Sequence, residues 1–307
     1  MRRILFTLPG NEGLATAIAT AMDAEQGALS LRHFPDGESY VRILSDVKGK
    51  QAIVVCTLHR PDEKLLPLMY LCRALKDLGA TTITLVAPYL SYMRQDKAFQ
   101  PGEAVTSAYF AALLSSFTDG LVTIDPHLHR RSTLQEIYTV PCEVLHASSL
   151  ISAWIKKHVK EPVLIGPDSE SEQWVSVVAH DADAPFTVLE KTRLGDADVR
   201  VTVPHVERYA DRTPVLVDDI ISTARTMIET VGHLKAMGLK APWCIGTHGV
   251  FAGRAYEDLL AAGAARVITC NTIPHSSNAI DVSSLIVPAL EHLLKEKHLP
   301  ITDPTQP

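Results

Sequence analysis

An apolar run at residues 215–217 is followed by two aspartates, Asp218 and Asp219, and then by a turn rich in hydroxyl groups. Carboxylates at a strand end can bind ribose hydroxyls or a metal-bound substrate. Hydroxyl and backbone N–H groups at the start of a helix can donate to a phosphate. The alternative is that Asp219 or Ser222 only caps the following helix. The turn contains Ser222, Thr223, Ala224, Arg225 and Thr226.

Two other polar segments contain groups that could bind a ligand. In the first, Gly37 permits a tight turn that presents the ring of Phe34 beside the carboxylates of Asp36 and Glu38. An adenine could stack on that ring while a carboxylate accepts from its amino group. The second segment follows a predicted strand and contains Arg94, Gln95, Asp96 and Lys97. Taken alone, the first segment is more typical of a surface turn and the second of a solvated loop.

Isolated basic and imidazole side chains follow further predicted strands. His127 stands two residues after Asp125, where a neutral imidazole could bind a metal or accept from a metal-bound water. Lys191 and Arg193 follow a strand and precede a polar stretch, 195–198, that we expect to be flexible. A lone histidine is usually structural, and two such cations are usually exposed to solvent.

The composition restricts the class of protein. The 307 residues, 46% of them hydrophobic, allow about two globular domains. The net charge of −6 gives no basic surplus for a nucleic acid, although local basic clusters can still bind small phosphorylated substrates. Five cysteines without a CxxC pair predict thiols in a reducing, cytoplasmic setting. No segment approaches the roughly 20 apolar residues of a membrane span.

Short β-branched runs alternate with one-sided helical patterns, which predicts an α/β fold with parallel sheets. Two halves are visible, and we expect domains at 1–145 and 146–307, with the last helix packing back on the first domain. The predicted strands are 53–57, 82–88, 121–125, 163–166, 187–190, 215–217, 244–247 and 267–271, and the predicted helices are 64–78, 105–117, 149–158, 226–237 and 280–295.

The aspartate pair and its turn resemble the phosphoribosyl-pyrophosphate loop that ribose-phosphate diphosphokinases share with type I phosphoribosyltransferases. The loop alone does not separate the two families. Five further segments resemble diphosphokinase motifs in the order of that family, so the resemblance covers nearly the whole chain. These segments are 34–38, 92–97, 125–127, 166–168 and 190–193.

The resemblance implies two phosphoribosyltransferase-like (type I) domains, each a mainly parallel sheet flanked by helices. It implies a Mg²⁺-dependent enzyme of nucleotide biosynthesis that transfers the diphosphoryl group of ATP to the C1 hydroxyl of ribose 5-phosphate. The products would be phosphoribosyl pyrophosphate and AMP. In the family the loop at 34–38 reaches the ATP site of a neighbouring subunit, which implies a homo-oligomer.

The resemblance also implies a role for each matching residue. Lys191 and Arg193 would belong to a catalytic loop that closes over the triphosphate. His127 and Asp168 would contact Mg²⁺, which would lie between the domains. Ribose 5-phosphate would be bound by Asp218, Asp219, Ser222, Thr223, Ala224, Arg225 and Thr226, and ATP by Phe34, Asp36, Glu38, Arg94, Gln95, Asp96 and Lys97.

Several positions depart from the common pattern of that family. Glu170 and Glu172 lie in a loop that is usually rich in glycine, and two carboxylates there would repel a polyphosphate. Ser222 stands where an aspartate is usual, and Arg225 where a glycine is usual. The stretch 98–103 lacks the usual basic residues. Two alternatives therefore stay open: a catalytically silent regulatory homologue and a type I phosphoribosyltransferase.

Overall fold

The computed structural model describes residues 2–128, 130–166, 172–193, 199–202 and 206–296. The chain divides into two compact units. The first, here called the N-terminal unit, contains the residues up to Leu145 and the helix that begins at Ser283. The second, the C-terminal unit, runs from His146 to Val282. Within the described residues, no helix is long and apolar enough to cross a membrane.

The N-terminal unit is built on a parallel sheet whose strands are β1 (Arg3–Thr7), β2 (Glu25–Gln26), β5 (Gln51–Val55), β6 (Thr82–Ala87), β7 (Gly120–Ile124) and β8 (Cys142–Leu145). Their order across the sheet is β2-β1-β5-β6-β7-β8. An antiparallel hairpin, β3 (Leu29–His33) and β4 (Ser39–Ile43), lies outside that sheet. The helices are α1 (Glu12–Ala21), α2 (Pro61–Asp77), α3 (Thr106–Ser115) and α8 (Ser283–Glu296).

The C-terminal unit contains a second parallel sheet with the order β10-β9-β13-β14-β15-β16. Its strands are β9 (Pro162–Gly166), β10 (Phe186–Val188), β13 (Thr213–Ile221), β14 (Trp243–Gly249), β15 (Arg266–Cys270) and β16 (Asn278–Ile280). The antiparallel hairpin of this unit is β11 (Glu190–Arg193) and β12 (Val199–Thr202). The helices are α4 (Ser148–His158), α5 (Glu172–Ala182), α6 (Arg225–Ala236) and α7 (Ala255–Ala262).

The two sheets have the same topology. When the six strands of each sheet are numbered along the chain, both sheets have the order 2-1-3-4-5-6. Both units also insert their hairpin between the second and third of these strands. This agreement supports an origin of the two units by duplication. The strand order reverses beside β1 and β5 in one unit and beside β9 and β13 in the other, and ligands of such sheets bind at the carboxyl ends of those strands.

Buried strands and one shared helix form the core of the N-terminal unit. Every residue of β5 and β7 is buried, as expected for strands covered on both faces. Helix α8, from the far end of the chain, packs against α1, β7 and β8. The buried side chain of Gln51 donates from Nε2 to the carbonyl oxygen of Leu294 in that helix, at 3.2 Å. The last described helix therefore completes the unit that contains the N-terminus.

The predicted fold class is confirmed, but several element boundaries were wrong, including three that move residues into a different element. The predicted strand 187–190 is divided between β10 and β11, which belong to different sheets. Strand β13 extends beyond Val217 to Ile221, so Asp218 and Asp219 lie inside the strand and not after it. The helix predicted from residue 280 begins at Ser283, because Asn278–Ile280 pair with β15 as an edge strand.

Candidate active site

The two aspartates are the sixth and seventh of the nine residues of β13, a strand flanked by β9 and β14. Asp218 lies opposite Gly246 in the ladder with β14. The backbone N–H of Asp219 donates to Oδ1 of Asp218 at 2.9 Å. Both carboxylates are half-buried, so they are placed at the carboxyl end of the sheet with access for a ligand.

The turn after β13 is fixed by the loop that follows β14. The N–H groups of Val250 and Phe251 each donate to the carbonyl oxygen of Ile221 at 3.0 Å, and that of Ala252 donates to the carbonyl oxygen of Ser222 at 3.0 Å. A side chain at Gly246 would place its Cβ 2.7 Å from Ile221 Cγ1, so glycine permits this close approach. These contacts hold the start of the turn against the neighbouring strand.

Ala224 carries the unusual backbone conformation of this turn. Its φ of 56° is left-handed, which costs a residue with a Cβ about 1–2 kcal/mol. Helix α6 begins at the next residue, so the exposed Arg225 has an ordinary helical backbone. The residue before the helix is Ala224, without a side-chain cap, so the reading of Asp219 or Ser222 as the cap is wrong. Thr223 is exposed beside Arg225, and both side chains are open to a ligand.

A buried polar cluster lies beside the aspartates on β14 and was missed by sequence reasoning. The side chain of His248 is 1% exposed, and its Nδ1 lies 2.9 Å from Oγ1 of Thr272. That hydroxyl donates to the carbonyl oxygen of Thr247 at 2.9 Å. Polar residues directly after an apolar run at a strand end were the available signal, the same signal that identified Asp218.

In the N-terminal unit, Asp96 is held by two arginines that sequence reasoning did not assign. The side chain of Asp96 is only 3% exposed and accepts from Arg130 Nη1 at 2.9 Å. Arg131 Nη2 donates to the backbone oxygen of Asp96 at 3.3 Å. The carboxylate of Asp96 therefore fixes the segment 94–97 in place.

Glu103 organises the other side of this segment. One of its carboxylate oxygens accepts from the N–H groups of Phe99 at 2.7 Å and Gln100 at 3.0 Å. The same oxygen accepts from Gln95 Nε2 at 3.2 Å. Arg94 and Lys97 are exposed, so the segment presents its two cations to solvent while its amide and carboxylate face inward.

Tyr92 connects this segment to the start of α2. Its φ of 62° is left-handed, and its ring packs against Phe110 with centroids 4.8 Å apart. The phenol donates to Asp62 Oδ1, and this hydrogen bond raises the pKa of Tyr92. The ring contact with Phe110 and the hydrogen bond to Asp62 together hold the backbone turn that leads into residues 94–97.

His127 lies three residues after β7, and its side chain is half-buried. Asp125, between them, has a left-handed φ of 37° and is buried. No group of three or more histidine, cysteine, aspartate or glutamate side chains able to hold a metal occurs in the part of the chain that the structure describes. Asp168, the other predicted metal residue, lies outside the described residues, as does Glu170.

The segment 34–38 forms the tip of the β3–β4 hairpin, and the prediction of a tight turn is confirmed. Gly37 has a φ of 94°, and its N–H donates to the carbonyl oxygen of Phe34 at 2.9 Å. The N–H of Glu38 donates to Oδ1 of Asp36 at 3.2 Å. The ring of Phe34 is 39% exposed and packs edge-on against Tyr40. An aromatic face and two exposed carboxylates therefore lie together at the tip.

Lys191 and Arg193 were expected on a loop after a strand. The structure places both within β11, where Lys191 is paired with Val201 and Arg193 with Val199. Pairing with β12 therefore holds the backbone of Lys191 and Arg193 in a strand. Their side chains and residues 194–198 lie outside the described part of the structure.

Each unit gathers a different part of the predicted site. In the N-terminal unit, residues 94–97 and His127 follow the neighbouring strands β6 and β7, while Phe34, Asp36 and Glu38 lie on the hairpin. In the C-terminal unit, Asp218 to Thr226 form one continuous strand–turn–helix. The first set has the groups to hold a nucleotide, and the second has the groups to hold a sugar phosphate.

Comparison with known proteins identifies both units. Residues 3–117 match the family model described as the N-terminal domain of ribose phosphate pyrophosphokinase, and residues 134–285 match the phosphoribosyl transferase domain. The chain is 30% identical to the ribose-phosphate pyrophosphokinase of Methanopyrus kandleri over 94% of this chain and 99% of the relative. It is 31% identical to that of Methanothermobacter thermautotrophicus over 92% and 97%.

A solved structure agrees with these relatives. The phosphoribosylpyrophosphate synthetase from Mycobacterium smegmatis is 26% identical and superposes with a TM-score of 0.83, covering 96% of this chain and 100% of that chain. The predictions of the family and of a transferase are thus confirmed. The chain belongs to the ribose-phosphate pyrophosphokinase family.

Proposed function

We propose that the protein transfers the diphosphoryl group of ATP to the C1 hydroxyl of ribose 5-phosphate, giving phosphoribosyl pyrophosphate and AMP. The observation that carries this proposal is the strand–turn–helix at Asp218 to Thr226, which joins two half-buried carboxylates to a turn rich in hydroxyl groups. Family membership over nearly the whole chain supplies the reaction class.

In this proposal the C-terminal unit binds ribose 5-phosphate. Asp218 and Asp219 orient the ribose hydroxyls, because carboxylates accept hydrogen bonds from them. Hydroxyl and N–H groups of the turn hold the 5-phosphate beside the start of α6. The exposed guanidinium of Arg225, at the first helical position, adds a charge-assisted contact. The turn residues that we assign to the phosphate are Ser222, Thr223, Ala224, Arg225 and Thr226.

ATP is assigned to the N-terminal unit. The exposed cations of Arg94 and Lys97 contact the nucleotide, while Asp96 and Gln95 act mainly by positioning them, because both already have protein partners. The hairpin tip, with Phe34, Asp36 and Glu38, is proposed to reach the adenine of a neighbouring subunit in a homo-oligomer. The exposed ring of Phe34 is suited to stacking.

We assign Mg²⁺ as the metal. Mg²⁺ keeps several waters and is usually held by one or two carboxylates together with substrate phosphates, so it needs no cage of protein ligands. Asp168 would be the carboxylate contact, and the half-buried imidazole of His127 would accept from a metal-bound water. When bound, the ion neutralises charge on the phosphate oxygens.

The reaction requires positioning and charge neutralisation more than a strong nucleophile. The C1 oxygen of ribose 5-phosphate forms a bond to the β-phosphorus of ATP and gives up its proton to water, and the bond from that phosphorus to the oxygen of AMP breaks. Lys191 and Arg193 are the proposed catalytic residues, and they stabilise the charge that develops on the transferred group and on AMP.

The cysteines are consistent with the expected cytoplasmic setting. All five are free thiols, and Cys56, Cys72, Cys244 and Cys270 are buried. Burial raises the pKa of Cys56 and of Cys244 to about 12, which keeps both thiols protonated and unreactive.

The reaction is tested by its nucleotide product. Incubation with ATP, Mg²⁺ and ribose 5-phosphate should yield AMP and phosphoribosyl pyrophosphate in equal amounts, because the diphosphoryl group moves as one unit. Chromatography of the nucleotides measures this directly. Stoichiometric ADP, or no turnover with any pentose phosphate, would refute the proposed reaction.

Lys191→Ala should lower kcat by on the order of 10²-fold or more with a smaller change in KM, because its charge acts in the transition state. Lys157→Ala, which removes an exposed lysine of α4 in the same unit, is the matched control and should leave both constants unchanged. A kcat within a few-fold of the wild-type value for Lys191→Ala would show that this lysine is not catalytic.

Arg225→Ala should raise the KM for ribose 5-phosphate about ten-fold or more and leave the KM for ATP nearly unchanged. A hydrogen bond to a charged group contributes about 1.5–3 kcal/mol, and 1.4 kcal/mol corresponds to one decade in affinity. Lys235→Ala, which removes an exposed cation in the last turn of the same helix, should change neither constant. Equal shifts in both constants, or none, would place Arg225 outside the phosphate site.

Arg130→Ala should raise the KM for ATP about ten-fold, with a smaller effect on kcat. The substitution removes the ion-pair partner of a carboxylate that is almost fully buried, so the segment 94–97 loses its fixed position. Lys76→Ala breaks a more exposed ion pair, with Asp119 at 3.1 Å, and should have little effect. If the two variants have the same KM for ATP, Arg130 does not position the nucleotide site.

A further inference from the structure

The N-terminal unit repeats the local backbone of the ribose-phosphate turn. In the C-terminal unit, the third strand of the sheet is followed by a turn that ends at Ala224, with φ 56°, and then by α6. In the N-terminal unit, the third strand is β5, and the loop after it ends at Arg60, with φ 50°, before α2 begins. Left-handed backbone is uncommon in residues that have a Cβ. Because it occurs in both units directly before the helix that follows the third strand, we infer that the two loops are equivalent.

A cavity of about 350 Å³ lies beside this loop, within the N-terminal unit. Leu8 and Pro9, which follow β1, form one side, and Arg32 and Tyr40 of the hairpin form another. Lys64, in the first turn of α2, contributes a third side. The cavity therefore lies at the carboxyl end of β1, where the strand order reverses, and its volume is within the range of small-molecule sites.

Lys64 lines this cavity, and its ammonium lies against the loop that follows β5. Its ammonium donates to the carbonyl oxygen of Thr57 at 2.8 Å and lies 3.0 Å from Nδ1 of His59. Burial, with the charges of Lys64 and Arg60, lowers the pKa of His59 to about 4, so both of these partners are neutral near pH 7. Burial also lowers the pKa of Lys64. An anion that reached this ammonium from the cavity would stabilise its charge more than these neutral partners do.

Arg32 contributes the second cation, from the hairpin. Its guanidinium lies 4.2 Å from the ring centroid of Tyr40 and 4.6 Å from that of Phe34. Stacking uses the faces of a guanidinium, whereas its N–H donors lie in its plane and suit two oxygens of one phosphate. The two rings are perpendicular to each other, so the guanidinium can stack face-on with one of them at most, and its N–H donors suit a phosphate in the plane of the group.

The other residues that line the cavity suit the part of a phosphorylated ligand beyond its phosphate. Leu8, Leu31 and Pro67 supply apolar surface, and the exposed Glu63 supplies a carboxylate that can accept from sugar hydroxyls. We propose that the cavity between the β3–β4 hairpin and α2 binds a small phosphate monoester, with Arg32 and Lys64 contacting its phosphate. None of the residues assigned above to ATP or ribose 5-phosphate lines this cavity.

Calorimetric titration of the full chain tests this site without turnover. Ribose 5-phosphate, AMP and inorganic phosphate are titrated separately into the wild type, Arg32→Gln, Lys64→Gln and Arg42→Gln, with no Mg²⁺ or ATP present. Arg42 is an exposed arginine of β4 outside the cavity lining, so its variant controls for lost charge on the same hairpin. The three titrants distinguish a pentose phosphate, a nucleotide and the phosphate group alone.

For at least one titrant, we expect a binding event that Arg32→Gln and Lys64→Gln each weaken about ten-fold or more and that Arg42→Gln leaves unchanged. Arg32 is exposed, so its replacement should leave the fold intact, and the melting temperature of each variant checks this. The proposal is wrong if no titrant shows binding that depends on Arg32. It is also wrong if Arg42→Gln weakens binding as much as Arg32→Gln does.

Discussion

In each sheet the strand order reverses beside the first strand, and the positions of the candidate ligand sites depend on this reversal. The second strand lies on one side of the first strand and the third strand on the other, in both units. Crossovers between parallel strands are almost always right-handed, so a reversal of strand order sends successive crossovers to opposite faces of a sheet and opens a crevice between the loops at the carboxyl ends. In the C-terminal unit this crevice borders β13, so the carboxylates and the turn that follow Val217 face a space that the topology itself creates.

The turn beside that crevice is strained, and its neighbours maintain the strain. A left-handed alanine at 224 costs about 1–2 kcal/mol and persists only where the surrounding structure determines it. Three backbone hydrogen bonds from residues 250–252 do so, and Gly246 allows Ile221 to approach β14 closely enough to receive them. The first helical residue is thereby free of strain, which explains how an arginine can occupy position 225 next to an unusual backbone.

The sequence was most informative where strands are buried on both faces. Strands β5 and β7 were predicted from their apolar runs, and the motif at 125–127 could be located because it follows the run of β7. Strand β1 was missed although Ile4, Leu5 and Phe6 are buried, because the strand begins with Arg3, follows another arginine and lacks a preceding turn signal. The pairing of Asp96 with Arg130 joins residues 34 positions apart and leaves no local signature. Such contacts depend on how β6 and β7 are placed side by side.

The position of Arg32 links the cavity to the proposed nucleotide site. One guanidinium contacts both the ring of Phe34, which we assign to adenine stacking, and the space beside α2. A phosphate that draws the donors of Arg32 toward Lys64 must alter its stacking on Phe34, because the group is rigid and planar. Thermodynamic linkage makes this effect reciprocal: if the cavity ligand changes the affinity for ATP, ATP changes the affinity for that ligand by the same factor. The hairpin is therefore the element through which the two ligands would be coupled.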